Sequence, residues 1–289
     1  MAILDMLQNV ARELGLPDIT TVVNSTDRTT IQLLAIANRV GKELRDRAEW
    51  PQLSKEYSFT LVSGQEGYPL PGDIDQVIFR TNWDRQNHWE LEGPLTPQEW
   101  QFRKSGVSQT SPRRKFRFRG SMTDSFLIFP TPGSADTGSI MVFEYQSTNW
   151  IAPKTWVTAT SFAALSYCFY DGNIYQTTSG GTSGATPPTH TSGSASDGGI
   201  TWTYFNGMYT QFLADTDTCL IDEYLVGLGV QWRFMRQKGL DYEEIRSDFE
   251  QALAGEVFKI SGAPTLNMSP GGQNFLVGWW NIPDTGYGS

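Results

Sequence analysis

Helical periodicity occupies both ends of this chain and strand periodicity its middle, so any helical core must join segments from opposite ends of the sequence. Residues 3 to 14 set Ile3, Leu4, Leu7, Val10, Ala11 and Leu14 on one stripe, and Gly15 and Pro17 stop it. After the cap signal Ser25-Thr26-Asp27, a second stripe carries Leu33, Ile36, Ala37, Val40 and Leu44, with Arg39, Lys42, Glu43 and Asp46 mostly off it. This helix is expected to end near Glu49, because Pro51 follows Trp50. Near the other end, Ile221, Leu225, Leu228, Trp232 and Met235 form a third stripe, with Arg236 and Lys238 in the last turn and Gly239 as a natural stop. Asp241 followed by Glu244 restarts a helix in capping-box style, with Ile245, Phe249, Leu253 and Val257 as its apolar face, so the last two helices read as an αα-hairpin. Gly227 and Gly229 inside the third helix each cost up to about 1 kcal/mol relative to Ala, which predicts close packing against a neighbouring helix.

Between these ends the period changes. Residues 57 to 62, 76 to 79, 115 to 119, 126 to 129 and 140 to 145 are short runs, rich in β-branched or aromatic residues and punctuated by Gly and Pro. They predict an antiparallel β-domain or small sandwich. Thr96-Pro97-Gln98-Glu99-Trp100 reads as a capped short helix, with Pro at the first helical position.

Two further stretches are unusual in charge. From Gly172 to Thr201 the only charged residue is Asp197, amid Gly, Ser, Thr and Pro. The aromatics Tyr167, Phe169, Tyr170, Tyr175, Trp202, Tyr204 and Phe205 bracket this stretch, and Asp171-Gly172 and Asp197-Gly198-Gly199 supply turn signals, so a small inserted β-module is expected rather than a flexible linker. Ser261 to Ser289 carries only Asp284 as a charge, with Phe275, Trp279, Trp280 and Tyr287 among glycines and prolines. A solvated tail is charged and poor in aromatics; this one is the reverse, and reads as an arm that docks on something.

Composition bounds the function. The chain has 289 residues, enough for one large or two modest domains, and it needs neither metal nor disulfide to bury a core. Its two cysteines, Cys168 and Cys219, are far apart and outside any C-x-x-C spacing, so a reducing compartment is the default. Lys and Arg number 22 against 31 Asp and Glu, a net charge of −9 that argues against nonspecific binding of nucleic acid by the whole surface. No basic leader and no apolar run of membrane-spanning length is found, so a soluble protein made in the cytosol is expected. Aromatics at 13% and charged residues at only 18% suggest a subunit whose aromatic surface neighbours cover.

Catalytic and cofactor motifs are missing from this picture. His88 and His190 sit in polar loops, and no metal-ligand, nucleophile-elbow or phosphate-loop pattern occurs, so no catalytic residue, metal or cofactor is expected and the protein is not expected to be an enzyme. Asp215-Thr216-Asp217 lacks the rest of a calcium loop and is explained by helix N-capping. Glu90 and Glu92, on one face of a strand, are the weak candidates for a hydrolase pair. Arg113, Arg114, Lys115, Arg117 and Arg119 alternate with Phe116 and Phe118, which predicts a half-buried strand with a cationic outer face; the sharper alternative is a contact with an acidic partner or with DNA phosphates through Arg113, Arg114, Arg117 and Arg119.

Three groups of residues carry a resemblance. They are Tyr57-Ser58-Phe59 through Gly67-Tyr68-Pro69-Leu70-Pro71-Gly72-Asp73-Ile74, Phe129-Pro130-Thr131-Pro132 leading to Phe143-Glu144-Tyr145-Gln146-Ser147-Thr148-Asn149-Trp150, and Asp215-Thr216-Asp217 through Asp222-Glu223, Trp232-Arg233 and Lys238-Gly239-Leu240-Asp241-Tyr242. In order and spacing the chain resembles head-to-tail adaptors of short-tailed phages, the tail tubular protein A type, over residues 1 to 150 and 210 to 260. The resemblance implies a virion protein assembled in the host cytoplasm. It implies a twelve-fold ring of identical subunits, docked on the portal protein, anchoring the tail nozzle protein, helping to retain the genome and passing double-stranded DNA without reading its sequence. It also implies that the C-terminal arm, through Phe275, Trp279, Trp280 and Tyr287, reaches into the portal; the alternative is that the arm folds back on its own helices.

The expected fold is α+β. Residues 1–54 supply N-terminal helices of a bundle, 55–150 an antiparallel β-domain, 151–210 the inserted module, 211–260 the helical hairpin completing the bundle, and 261–289 the arm. The insert resembles carbohydrate-binding modules found in phage structural proteins. Tyr175, Trp202 and Tyr204 are its candidates for stacking on sugar rings or another surface, unless they are simply the core of a tiny domain. A carbohydrate-binding adhesion or decoration protein is therefore the alternative function.

Overall fold

Helices from the first 50 residues and from residues 223–261 meet in the computed structural model, which describes residues 1–106, 113–120 and 125–261. Its helices are α1 (Ile3–Glu13), α2 (Arg28–Arg47), α3 (Pro97–Ser105), α4 (Glu223–Lys238) and α5 (Glu243–Ser261). Asp27 caps α2 by accepting the Thr30 N–H at 2.8 Å, as the cap signal predicts. The helix stops at Arg47, two residues earlier than expected, with Ala48 extended. Gly15 ends α1 at φ 67°, with the Leu16 N–H on the Ala11 carbonyl at 2.8 Å, a Schellman closure that a Cβ would strain.

α4 departs from its predicted single stripe. Val226, Gly229, Val230, Gln231, Arg233 and Phe234 are buried along with Leu225 and Trp232, whereas Leu228 and Met235 are only half-buried. The reason is that α1, α2 and α5 all pack on α4, so it has buried surface on several sides and little amphipathicity. Gly229 permits this: a Cβ there would stand 2.5 Å from Val40 of α2 and 3.2 Å from Phe249 of α5. Gly227 has only an ordinary contact, Val10 at 3.8 Å. Leu7, Leu33, Val40, Leu44, Leu225 and Val230 are fully buried in this core, each contributing about 1.5–3 kcal/mol.

The middle of the chain folds into antiparallel sheets. β1 (Ser54–Thr60), β2 (Gly67–Tyr68), β3 (Ile74–Val77), β4 (Trp83–Asp84), β5 (Trp89–Glu90), β6 (Lys115–Phe118), β7 (Phe126–Phe129) and β8 (Ile140–Ser147) make two of them. One has the order β1-β8-β4-β5, with β3 also on β8; the other is β2-β7-β6. They enclose Phe116, Phe126 and Phe143, with Phe126 stacked on Phe143 at 5.5 Å. β7 is buried on both faces because Leu127 and Phe129 turn the other way, onto Trp100 of α3. A capping box between Thr96 and Glu99 starts α3, as its sequence predicts.

β9 (Ile151–Ala152), β10 (Ser161–Phe162), β11 (Tyr167–Tyr170), β12 (Asn173–Thr177), β13 (Gly181–Thr182), β14 (Ser194–Asp197), β15 (Ile200–Tyr204) and β16 (Thr218–Cys219) follow. β11-β12-β15-β14 form a four-stranded sheet despite the Gly- and Ser-rich composition. Asp171 and Gly172, at φ 49° and 76°, make the two-residue turn between Tyr170 and Asn173, which the Asp-Gly signal predicts. One face of this sheet closes over Phe162, Cys168, Tyr175, Ile200 and Trp202. The other lays Tyr167, Phe169 and Ile174 against the helical core.

Asp215 and Asp217 do not cap a helix, contrary to expectation. Asp222 caps α4, accepting from the Tyr224 N–H at 3.0 Å. Asp215 instead accepts from Thr21 Oγ1 at 2.8 Å and from the N–H groups of Val22 and Val23 at 3.1 and 2.8 Å. Asp217 accepts from Tyr209 Oη and from the N–H groups of Leu213 and Ala214. The pair thus satisfies loop donors that no ladder reaches and ties the α1–α2 connection to the segment entering α4.

Candidate functional site

A polar seam joins the β-sandwich, the exit of the four-stranded sheet and the helical core. Its centre is Asp73, only 3% exposed, ahead of β3. Asp73 pairs with Lys55 Nζ at 2.9 Å and accepts from Tyr145 Oη at 2.9 Å and Ser147 Oγ at 2.6 Å. Two residues on, Asn149 donates to the Gly207 carbonyl at 3.1 Å and accepts from the Tyr209 N–H. Asn206 closes the seam by accepting from the Gly72 N–H at 2.8 Å. Burial and the neighbouring charge of Asp73 push the Tyr145 phenol far above its ordinary range, and burial beside Asp217 does the same to Tyr209. Both phenols are held in their protonated, hydrogen-bonding form, and the seam's bonds tie three parts of the chain in one orientation.

The proposed glycan contacts are corrected by burial. Tyr175 and Trp202 are fully enclosed in the small sheet's core, and half-buried Tyr204 packs on the same cluster, so no sugar ring can stack on the first two. A small sheet with little else to bury spends its largest aromatics inside.

The basic run divides. Arg114 and Lys115 are buried, not on an open cationic face: Arg114 pairs with Asp136 at 2.6 Å and donates to the Pro130 carbonyl, and Lys115 pairs with Glu92. Arg117 is half-buried, and only Arg113 and Arg119 are exposed. Glu90 ends β5, and Glu92 is held in an ion pair by Lys115, so the two are not a free carboxylate pair. His88 lies exposed in the β4–β5 turn at φ 54°. His190 is placed beside Tyr175, ring centres 5.0 Å apart, with its two nitrogens enclosed rather than in an open polar loop.

Burial pushes the Cys168 and Cys219 thiols up to about 12, which makes both poor nucleophiles. No group of side chains suited to a metal ion occurs among the described residues. A cleft of about 240 Å³ between the end of α2 and β3 is lined by Glu49 and by charges in pairs, such as Arg45 with Asp46 at 2.6 Å and Arg47 with Glu250 at 2.8 Å. Ligand pockets are mostly apolar, which this one is not. Phe275, Trp279, Trp280 and Tyr287 lie outside the described residues.

The surface carries partner-type side chains. Phe102 is 74% exposed on α3, Phe79 71% after β3 and Phe258 67% on α5, and Arg80 places its guanidinium over the Phe79 ring. Sequence periodicity does not mark Phe102 and Phe258, which sit off the buried face of their helices, and Phe79, expected within a strand, lies in the turn just beyond β3.

A family model described as SU10 adaptor protein matches residues 1–185. The match takes in α1, α2, both sheets of the sandwich and the first half of the small sheet, and stops ahead of α4 and α5. No curated protein matches the chain.

Proposed function

Because the chain belongs to the SU10 adaptor protein family, whose model spans more than half of it, we propose that it is a structural protein of a phage virion that joins the portal to the tail. In this reading identical subunits form a ring beneath the portal protein, continue its channel, help to retain the packaged genome and anchor the tail nozzle protein. The observation that carries it is the family match over both the N-terminal helices and the β-sandwich. The polar seam supports it, since a ring needs subunits whose parts keep one mutual orientation, and head-to-tail contacts give exposed Phe79, Phe102 and Phe258 a use. The net charge of −9 suits a conduit that must release DNA rather than grip it. Among the described residues no helix is long and apolar enough to cross a membrane.

Residues 151–210 are read as a module inserted into this adaptor, and the arm as its docking element on a neighbouring virion subunit. The alternative of a carbohydrate-binding protein loses its stacking platform with the enclosure of Tyr175 and Trp202. Electron microscopy and mass measurement of the protein mixed with portal test the proposal. A ring seated on the portal is expected; a chain that stays monomeric in the presence of portal overturns it.

A further inference from the structure

Among the described residues, the outer edge of β1 is an unpaired strand edge seven residues long. Ser54 to Thr60 all pair with β8 in an unbroken register, and the Leu61 N–H continues the ladder onto the Ser139 carbonyl at 2.9 Å. Hydrogen-bonded positions alternate along an antiparallel pair, so Lys55, Tyr57 and Phe59 bond to β8, and the N–H and C=O groups of Glu56, Ser58 and Thr60 point the other way. On that side no strand pairs with β1 among the described residues. Proteins blunt such edges with charged side chains, inward-pointing charges, prolines, bulges or short strands. Here the strand is long, with neither proline nor bulge, and its two charges are neutralised in ion pairs, Lys55 with Asp73 and Glu56 with Arg85 at 2.5 Å.

The same chain holds a segment fitted to pair with that edge. Residues 271 to 282 carry no charge and no proline and are bounded by Pro270 and Pro283; Phe275, Leu276, Val277, Trp279, Trp280 and Ile282 give them a composition that favours a strand. From the end of α5 at Ser261, residues 262 to 272 reach up to about 36 Å when extended. We propose that residues 273–282 of one copy add as a strand to the β1 edge of a neighbouring copy. This rests on the reading of the chain as a ring subunit, in which arm and edge are the two different faces of one head-to-tail contact. It assigns the arm to an adjacent adaptor subunit rather than to the portal. Main-chain hydrogen bonds give such an addition its affinity, and the alternate side chains of the arm give it register.

Disulfide trapping in the full-length chain mixed with portal tests this. Ser58→Cys, on an exposed position, is combined in turn with Phe275→Cys, Leu276→Cys, Val277→Cys, Trp279→Cys and Trp280→Cys, which sample both faces of the arm strand, and oxidised. The expected result is a ladder of adaptor-only multimers for at least one pair and for neither single variant. A bond within one chain, a bond to portal carrying a matching cysteine, or no bond in an assembled ring overturns the proposal. Hydrogen exchange of the assembled wild-type protein gives a second readout: the Ser58 and Thr60 amides should exchange about tenfold or more slowly than in a chain ending at Ser261, and equal rates overturn it too. Portal binding is scored separately by co-sedimentation. A ladder without portal binding therefore keeps the strand addition and sinks the adaptor reading, and portal binding without a ladder does the reverse.

Discussion

Trp150 closes on Gly41 so tightly that a Cβ at position 41 would stand 2.1 Å from Cη2 and Cζ3 of the indole. The ring is fully buried and meets Phe212 edge-on at 5.3 Å, so it has nowhere to retreat. The residue that ends the β-domain is thereby locked to the middle of α2.

Gly41→Ala should therefore destabilise the protein despite being a better helix former. Overpacking costs about 1–3 kcal/mol, against a propensity gain of up to about 1 kcal/mol. Gly255 in α5 is the control, since nothing lies within 4 Å of its added Cβ, and Gly255→Ala should raise stability by up to about 1 kcal/mol. Thermal melts of both variants check the pair, and an unchanged midpoint for Gly41→Ala would contradict the packing argument.

Asp73→Ala should cost about 3–5 kcal/mol, because it strands Lys55 and removes the acceptor of Tyr145 and Ser147 together. Lys55→Met should cost less, since the carboxylate keeps both hydroxyl donors. Urea unfolding separates the two, and equal losses would show that the ion pair, not the hydroxyl network, dominates the seam.

Two carboxylates should act oppositely on the pH dependence of stability. Burial holds Asp217 above the ordinary carboxylate value of 3.8. Its folded form keeps its proton longer than the unfolded chain does, so its contribution is fully present below that value and is lost as pH rises through the folded pKa. Asp136 is held below 3.8 by the Gly133 N–H and then by Arg114, so its contribution is present above that value and lost as pH falls through the folded pKa. Asp217→Asn keeps an acceptor for Tyr209, Leu213 and Ala214 and should remove the first effect; Asp136→Asn should remove the second. Denaturant titrations across the acid range read both signs, and a slope unchanged in either variant refutes that assignment.

The basic run should divide in mutagenesis as it does in space. Arg114→Met breaks the ion pair of a buried guanidinium and should lower stability, whereas Arg113→Glu, at an exposed position, should leave stability within about 0.5 kcal/mol of wild type, as for other surface changes. Assembly with portal measured on Arg113→Glu and Arg119→Glu then isolates any role in partner contact. Intact assembly in both removes that role.

What could be read locally was local in its physics. The stripes of α1 and α2, the Asp27 cap, the Thr96 capping box and the Asp171-Gly172 turn depend on neighbours within a few residues, and the structure shows each. Asp215, whose partners Thr21, Val22 and Val23 lie at the other end of the chain, looked like a helix cap because its local sequence offers nothing else to bond. Tyr175 and Trp202 looked like a binding platform because aromatic content does not say which side of a sheet is covered.

By itself, then, the sequence determined the kinds and order of elements, since helical and strand periods and turn residues follow from backbone geometry over short spans. Only the tertiary structure decided that α4 is buried on several sides, that Asp73 and Asn149 hold the parts together, and that β1 keeps an open edge. These depend on which distant groups meet once chain entropy has been overcome, and a single hydrogen-bond acceptor carries no mark in the sequence of the donor it will find.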